Sequence, residues 1–385
     1  MSVAEVSWKH ARTLAGHADP MPAVTVRLDS ALGAAVAGDL RAPASLPAAD
    51  TAAMDGFATR GTGPWRVTGK LLAGQVCPTA IRDGEAVEIA TGAAVPAGTG
   101  AVVRYEDVNR SGHGTISGPA QPRGDIRPAG SDFRAGQILV PAGTRLTALM
   151  IGLAASAGCD QLRVHPRPRA AVVVTGSEMR TSGLPSATVT RDALGPAMTG
   201  LINSLGADVT QVSYTGDNEE ALAHVLAGSV ADVLVVTGGS SAGPADQLHK
   251  VLADAGAVLV VDGVRCRPGR PQVLARLRDG RRVVGLPGNP FAAVAGLITL
   301  LAPLLSAWSG EAAATENVVP CPEGVPRRRG YTILAPVRLD EAGEPHLLPR
   351  TSSASLLSVA QASHLLAAAD GDTAVLVTLP TGLPR

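Results

Sequence analysis

The sequence predicts a multidomain α/β protein. It has a central parallel-sheet α/β domain, an inserted β-rich domain, a helical N-terminal domain and a small C-terminal β domain. Three observations carry that expectation. The 385 residues exceed what one hydrophobic core supports, so two to four domains are expected. From about residue 169, continuous apolar runs alternate with helix-like segments, as in a parallel sheet covered on both faces. From about 64 to 145 the chain is instead short β-like runs broken by Gly and Pro, the texture of a lobe of hairpins.

Taken in order, residues 1–45 predict helix, with Asp29 or Ser30 as N-cap inside TVRLDSALGAAVAGDL. WRVTG, AVEIATG, GAVVRYEDV and GTISG supply the strands of the inserted domain, 46–137. TALMIGLAASAG (147–158) returns to helix, so 138–166 joins 1–45 as one helical or linking domain. The α/β domain, 167–310, starts with RAAVVVTG and DALGPAMTGLINSLG and continues through ADVTQVSY, NEEALAHVLAG and ADVLVVTGG. AVLVVDGV and RRVVGLPG are two further buried strands. Residues 311–385, with YTILAPVRL and DTAVLVTLP, form the C-terminal β unit.

Composition narrows the function. A hydrophobic content of 45% with 17% charged residues is globular, not disordered. A net charge of zero argues against a nucleic-acid partner held by a general basic field. Cys77, Cys159, Cys266 and Cys321 form no CxxC pair, and the eight histidines show no metalloprotease spacing. The apolar stretch 290–308 is interrupted by Pro303 and falls short of the ~20 unbroken apolar residues of a membrane span. The N-terminus has no apolar signal core. A cytoplasmic protein with no membrane partner is expected.

Chemistry concentrates where strands end. In an open parallel sheet, ligands bind outside the carboxyl ends of the strands. One such end carries Thr175, Gly176, Ser177 and Glu178; the next carries Gly238, Gly239, Ser240 and Ser241; a third carries Pro287, Gly288, Asn289 and Pro290. Hydroxyls and bare glycine amides suit an oxyanion. Asn289 is a good N-cap and Pro290 fits the first helical position, which leaves a positive helix end at the crevice. Each loop taken singly reads as an ordinary turn; three on one sheet edge favour an anion site. RCRPGRP (265–271) sets Arg267 and Arg270 around a Pro-Gly turn, either a solvated basic loop or a second anion contact. Asp246 reads as a helix-surface acid, an N-cap or a metal ligand. Asp55, in ADTAAMDGFATR, either makes its own tight turn or is presented for chemistry beside Gly56.

AMDGFA, TGAAVPAGTGAVVRYED, TGSE, TGGSSAG, the Pro-Gly-basic-Pro turn and LPGNP occur in an order that resembles the MoeA-type molybdopterin molybdenumtransferases, the family of the gephyrin E domain. The resemblance covers nearly the whole chain. It implies insertion of molybdate into adenylylated molybdopterin, with release of AMP, helped by Mg²⁺. It also implies an elongated homodimer whose crevice lies between two chains. Carried over by position, Asp55, Glu178 and Asp246 are the catalytic acids, with Asp55 and Asp246 as metal ligands. Thr91, Asp132, Arg267, Arg270, Pro287, Pro290 and Ser353 fall at substrate-binding positions, with the strand-end loops. Some positions depart from the family pattern: TGSE has Ser177 in place of an acid, RDALG lacks a usual Asn, and Thr51 and Ala52 replace Asn and Ser. These departures keep a second reading open, a non-catalytic paralogue that binds or carries molybdopterin or finished cofactor.

Overall fold

The apolar runs RAAVVV, VLVVT and RVVGL lie side by side in a computed structural model that describes residues 5–112, 114–239, 247–311, 315–349 and 352–380. Arg169–Val174, Val233–Thr237 and Arg282–Leu286 are neighbouring parallel strands, with Asp208–Tyr214 parallel outside the first. Val273–Arg276 and Val258–Asp262 continue the sheet antiparallel beyond the third. Strand side chains alternate between faces, so these runs feed two cores. Val172, Val174, Val233 and Val235 enter one, and Val173, Leu234 and Val236 enter the other. Burial on both faces is why the runs are apolar throughout.

Helices Glu219–Gly228 and Leu248–Asp254 cover the second face through Leu222, Leu226, Leu248 and Val251. The Asn218 side chain caps the first of them, accepting the Ala221 N–H at 2.9 Å. Leu194–Ser204 and the 19-residue helix Pro290–Trp308 cover the first face. By length and composition the longer helix could cross a membrane, yet its side chains pack into the α/β core. Its one buried hydroxyl, Thr299, donates to Ala295 O at 2.6 Å and accepts from Trp8 Nε1 at 2.9 Å.

That last contact corrects the expectation for residues 1–45. Helix Trp8–Gly16 packs on Pro290–Trp308, in the α/β core. The segment expected to be helical beyond it is mainly strand and turn. Val24–Arg27 and Ala35–Val36 flank Gln161–His165 in a three-stranded sheet. Two β-branched valines and a threonine in four residues favour a strand. Gly33, at φ +76°, breaks any helical run that follows. Helix Ala148–Ser156 packs beside these strands, capped by Thr147, whose hydroxyl accepts the Met150 N–H at 3.3 Å.

Leu40–Arg41 pairs with Ile138–Val140, and Thr51–Ala52 pairs with Ile126–Arg127. Nested inside the second ladder in chain order is a six-stranded sheet in the order Asn109–Ser111, Thr115–Ser117, Trp65–Leu71, Glu85–Ile89, Gly56–Thr59, Ala101–Arg104. Its two faces are buried among residues of this lobe, around Phe57 and Trp65 on one side and Ile89 and Val102 on the other. The C-terminal sheet is less self-contained than residues 311–385 alone suggest. Thr332–Leu339, His364–Ala368, Thr373–Thr378 and Asn317–Pro320 form its antiparallel body. Val264–Arg267 adds a parallel strand to its edge, and Val6–Ser7 adds another beyond that.

Gly56 shows how closely the inserted sheet is built. Any Cβ there would stand 2.1 Å from Val103 O, a backbone atom that cannot swing aside. Gly56→Ala is therefore expected to cost the inserted lobe about 2 kcal/mol or more. Hydrogen exchange of the lobe amides checks this, and unchanged protection would remove the packing argument.

Candidate active site at the strand ends

The three strand-end loops interlock. Thr175 donates both its N–H and its hydroxyl to Thr237 O, each at 3.0 Å. Gly238 N–H donates to Leu286 O at 2.9 Å. Gly238 sits at φ +87°, and a Cβ on it would come within 2.5 Å of Thr175 Oγ1. A Cβ on Gly288 would meet Gly238 Cα at 3.5 Å, so the third loop abuts the second. Gly238 is thus required by approach as well as by dihedral angle, whereas Gly288 meets it in ordinary contact. Gly239, at φ +61°, accepts the Leu248 N–H at 3.2 Å. Ser240, Ser241 and Asp246 lie outside the described residues.

Glu178 folds back over Gly176, whose φ is +108°; a Cβ there would stand 2.8 Å from a Glu178 carboxylate oxygen. Ser177 exchanges two hydrogen bonds with Asp217. Its N–H donates to the carboxylate at 2.9 Å, and its hydroxyl accepts the Asp217 N–H at 3.1 Å. Asp217 escaped the sequence reading because it lies on the loop after the neighbouring strand, without a motif of its own.

The LPGNP loop differs from expectation in one respect. Pro287 is buried and Pro290 opens the helix, but the Asn289 side chain makes no capping bond. Its Nδ2 instead donates to Ser353 Oγ at 3.3 Å, while Ser353 O accepts the Ala292 N–H at 3.2 Å. The cap comes from the C-terminal domain. Ser353, placed here by resemblance, is joined to the crevice by both bonds.

The basic turn reaches the same edge because Val273 pairs with Gly285 in antiparallel register. Gly269, at φ +100°, lies where a Cβ would be 3.0 Å from Ala292 O, so the turn rests on the first turn of the long helix. Beneath it Gln272 is fully buried and donates to Cys266 Sγ at 3.2 Å and to Gly269 O. Burial pushes the Cys266 thiol up to about 12, which leaves it protonated and inert at neutral pH. Arg267 is exposed, with its guanidinium carbon 5.9 Å from the Tyr331 ring centroid. Arg270 is paired with the N-terminal segment. Its Nε donates to Glu5 Oε1 at 2.7 Å, and the same carboxylate contacts its Nη2.

Asp55 and Thr91 are brought together on the inserted lobe, where Asp55 Oδ1 accepts the Thr91 N–H at 2.6 Å. That hydrogen bond lowers the Asp55 pKa below the usual carboxylate range, and the side chain is fully exposed. Asp132 is exposed at the lobe's exit, its N–H on Leu46 O at 3.0 Å. The candidate residues thus stand in two groups, one on the lobe and one at the strand ends. Among the described residues, no three His, Cys, Asp or Glu side chains gather as a metal cage. Among the described candidates, Asp55, Asp132 and Glu178 are exposed carboxylates, the oxygen-donor chemistry that suits Mg²⁺.

A brace behind Asp55 had no motif to announce it. Arg104 grips Asp125 through Nε and Nη2, both at 2.9 Å, and Arg123 pairs with Asp50 at 2.8 Å. Arg123 and Asp125 both take positive φ, +59° and +48°. Asp125 O accepts the Ala53 N–H at 2.8 Å, which fixes the strand end that leads into Asp55.

Comparison with known proteins places the chain in a family. Residues 6–158 match the family model of the MoeA N-terminal region (domain I and II), and residues 171–307 match a probable molybdopterin binding domain. A molybdopterin molybdenumtransferase of Synechococcus elongatus is 31% identical over 86% of this chain and 86% of its own length. The chain belongs to the molybdopterin molybdenumtransferase family. A Haemophilus influenzae member is also 31% identical, over 76% of this chain and 75% of its own. The crystal structure of the molybdopterin biosynthesis MoeA protein from Pyrococcus horikoshii matches with a TM-score of 0.78 at 27% identity. It covers 99% of this chain and 100% of the other. In this molybdenumtransferase-family chain the strand-end crevice falls inside the molybdopterin-binding match, and Asp55 with its brace falls inside the MoeA N-terminal match.

The brace is open to a pH test. Hydrogen bonding from Arg104 lowers the Asp125 pKa below its ordinary value, about 3.9 in unfolded chains. Its contribution is complete above that value and is lost as pH falls through the lowered one. Asp125→Asn is expected to cost about 1 kcal/mol at neutral pH, the screened scale of a partly exposed pair. Melting temperatures of both proteins against pH should converge below pH ~3; a constant gap would exclude the ion pair.

Proposed function

We propose that this protein is a molybdopterin molybdenumtransferase acting in the cytosol at the end of cofactor assembly. It inserts molybdate into adenylylated molybdopterin, releasing AMP and leaving molybdenum cofactor. The interlock of Thr175, Gly238 and Gly288 carries the reading, because it gathers three glycine-bearing loops at one sheet edge with a helix N-terminus. Both reactants are anions, and bringing them together needs fixed amide dipoles and cations to offset their repulsion. The strand-end amides and the helix end receive phosphate or molybdate oxygens. Arg267 neutralises charge beside them, and Asn289 with Ser353 sets the position of the helix end.

Asp55 acts from a second copy in an elongated homodimer, where the exposed lobe tip of one chain meets the strand-end crevice of the other. It orients a water, and Thr91 N–H fixes its carboxylate for that task. Asp55 is also the residue that would hold Mg²⁺, with substrate phosphates as further ligands. When bound, the ion would offset the charge of the two anions.

The test is reconstitution with adenylylated molybdopterin, molybdate and Mg²⁺, following AMP and active cofactor. Asp55→Ala is expected to slow single-turnover AMP release about a hundredfold while leaving nucleotide affinity nearly unchanged. Loss of affinity with no AMP release from the unmodified protein would mark a carrier instead. Unchanged turnover in Asp55→Ala would remove this residue from the chemistry.

A further inference from the structure

Asp55 immediately precedes the strand Gly56–Thr59, and both neighbours of that strand hold it. From the side of Glu85–Ile89, Thr91 N–H donates to Asp55 Oδ1 at 2.6 Å. From the side of Ala101–Arg104, Tyr105 N–H donates to Asp55 O at 3.3 Å, one residue past the pair Gly56–Arg104. The Thr91 bond aims the carboxylate, and the Tyr105 bond places the backbone that carries it. Tyr105 also begins the short turn Tyr105–Asp107. Pairing at such a strand end opens readily unless something holds it.

The side chain of Tyr105 is what holds it. Its hydroxyl donates to Glu88 Oε1 at 2.7 Å, and Lys70 Nζ donates to the same oxygen at 3.1 Å. Its ring meets Phe57 edge to face, with centroids 5.3 Å apart. Lys70, Glu88 and Phe57 stand in register on the adjacent strands Trp65–Leu71, Glu85–Ile89 and Gly56–Thr59. Tyr105 follows the strand beyond these, so its side chain reaches back across Phe57 to Glu88. A polar strap is thus laid over the strand that begins beside Asp55.

Stability does not account for the strap. The core beneath is closed without it by Phe57, Trp65, Val103 and Ile116. Tyr105 is 39% exposed and the Lys70–Glu88 pair is open to solvent, the kind of contact that adds little to folding. What the strap fixes is position.

We infer that Tyr105, tied to Glu88 and Lys70, is a positioning residue that fixes the direction in which the lobe presents Asp55. The inference rests on the functional reading above for what Asp55 does, while the strap and the Asp55–Thr91 bond involve this chain alone. With the strap cut, the end of Ala101–Arg104 loosens, Asp55 drifts from Thr91, and the water it orients loses its line to the reacting atom. A displacement of ~1 Å at such a group can cost about a hundredfold in rate.

The experiment uses the full-length protein and two readouts, single-turnover AMP release with nucleotide affinity, and hydrogen exchange of the Thr91 amide by NMR. Tyr105→Phe keeps the ring on Phe57 and loses only the hydroxyl, so melting temperature should move by no more than about 3 °C. It is expected to slow AMP release about tenfold, with nucleotide affinity within about twofold, and to speed Thr91 exchange about tenfold. Glu88→Ala should do the same, whereas Glu88→Gln keeps an acceptor and restores most of both. The double variant Tyr105→Phe with Glu88→Ala should be no slower than either single one, since both cut the same strap. Unchanged Thr91 exchange in Tyr105→Phe overturns the inference. So does faster exchange with unchanged AMP release, or a loss of nucleotide affinity as large as the loss of rate, which would make Tyr105 a substrate contact. An unmodified protein that releases no AMP overturns the proposed reaction, yet faster Thr91 exchange in Tyr105→Phe would still establish the strap.

Discussion

A helix that is apolar on every side has to be covered on every side. Pro290–Trp308 imposes that constraint here, and most of the architecture answers it. The parallel sheet covers one flank through Leu286 and Val284, and helix Trp8–Gly16 covers another. The one buried hydroxyl within it, Thr299, is satisfied across that second contact by Trp8. The basic turn and Ser353 close over its N-terminal end. The N-terminus, the α/β domain and the C-terminal domain are therefore drawn together by one element. The anion crevice forms where their coverings meet.

The site is governed by which polar groups are already engaged. Ser177 is committed to Asp217, Arg270 to Glu5, Asp125 to Arg104, and the helix start to Ser353. Among the described site residues, Gly288, Arg267, Glu178 and Asp55 remain exposed. A fully paired neighbourhood holds its geometry without help from a ligand, which is the condition for electrostatic stabilisation that costs no reorganisation.

Much of this was legible in the sequence. Continuous apolar runs such as VLVVT can be satisfied only by burial on both faces, so the parallel sheet and its loop edge followed from pattern alone. The texture of residues 64–145 likewise announced a separate β lobe, whose six-stranded sheet ends at Ser117. Residues 24–36 misled because Ala and Leu suit a helix in isolation, whereas pairing with Gln161–His165 rewards the valines. Asn289 misled because a good capping residue gives way when another backbone carbonyl reaches the helix start first. Arg270 could not be placed from its own motif, because its partner Glu5 lies 265 residues away in the chain. The brace at Asp50 and Asp125 stayed hidden for the same reason, since ion pairs between loops leave no periodic trace.

The sheet edge assembled from Val6–Ser7, Val264–Arg267 and Thr332–Leu339 has a consequence for how the chain is made. The first of these strands leaves the ribosome long before the other two exist. Trp8, buried in the finished protein, then has no helix Pro290–Trp308 to lie against. The inserted lobe needs no later residue for its two cores, so it can condense early during synthesis. The N-terminal segment, with its apolar face of Trp8, Ala11 and Ala15, is left undocked until most of translation is finished. Its docking is then a late, long-range closure, the kind of step that limits folding rate and exposes a nascent chain to association.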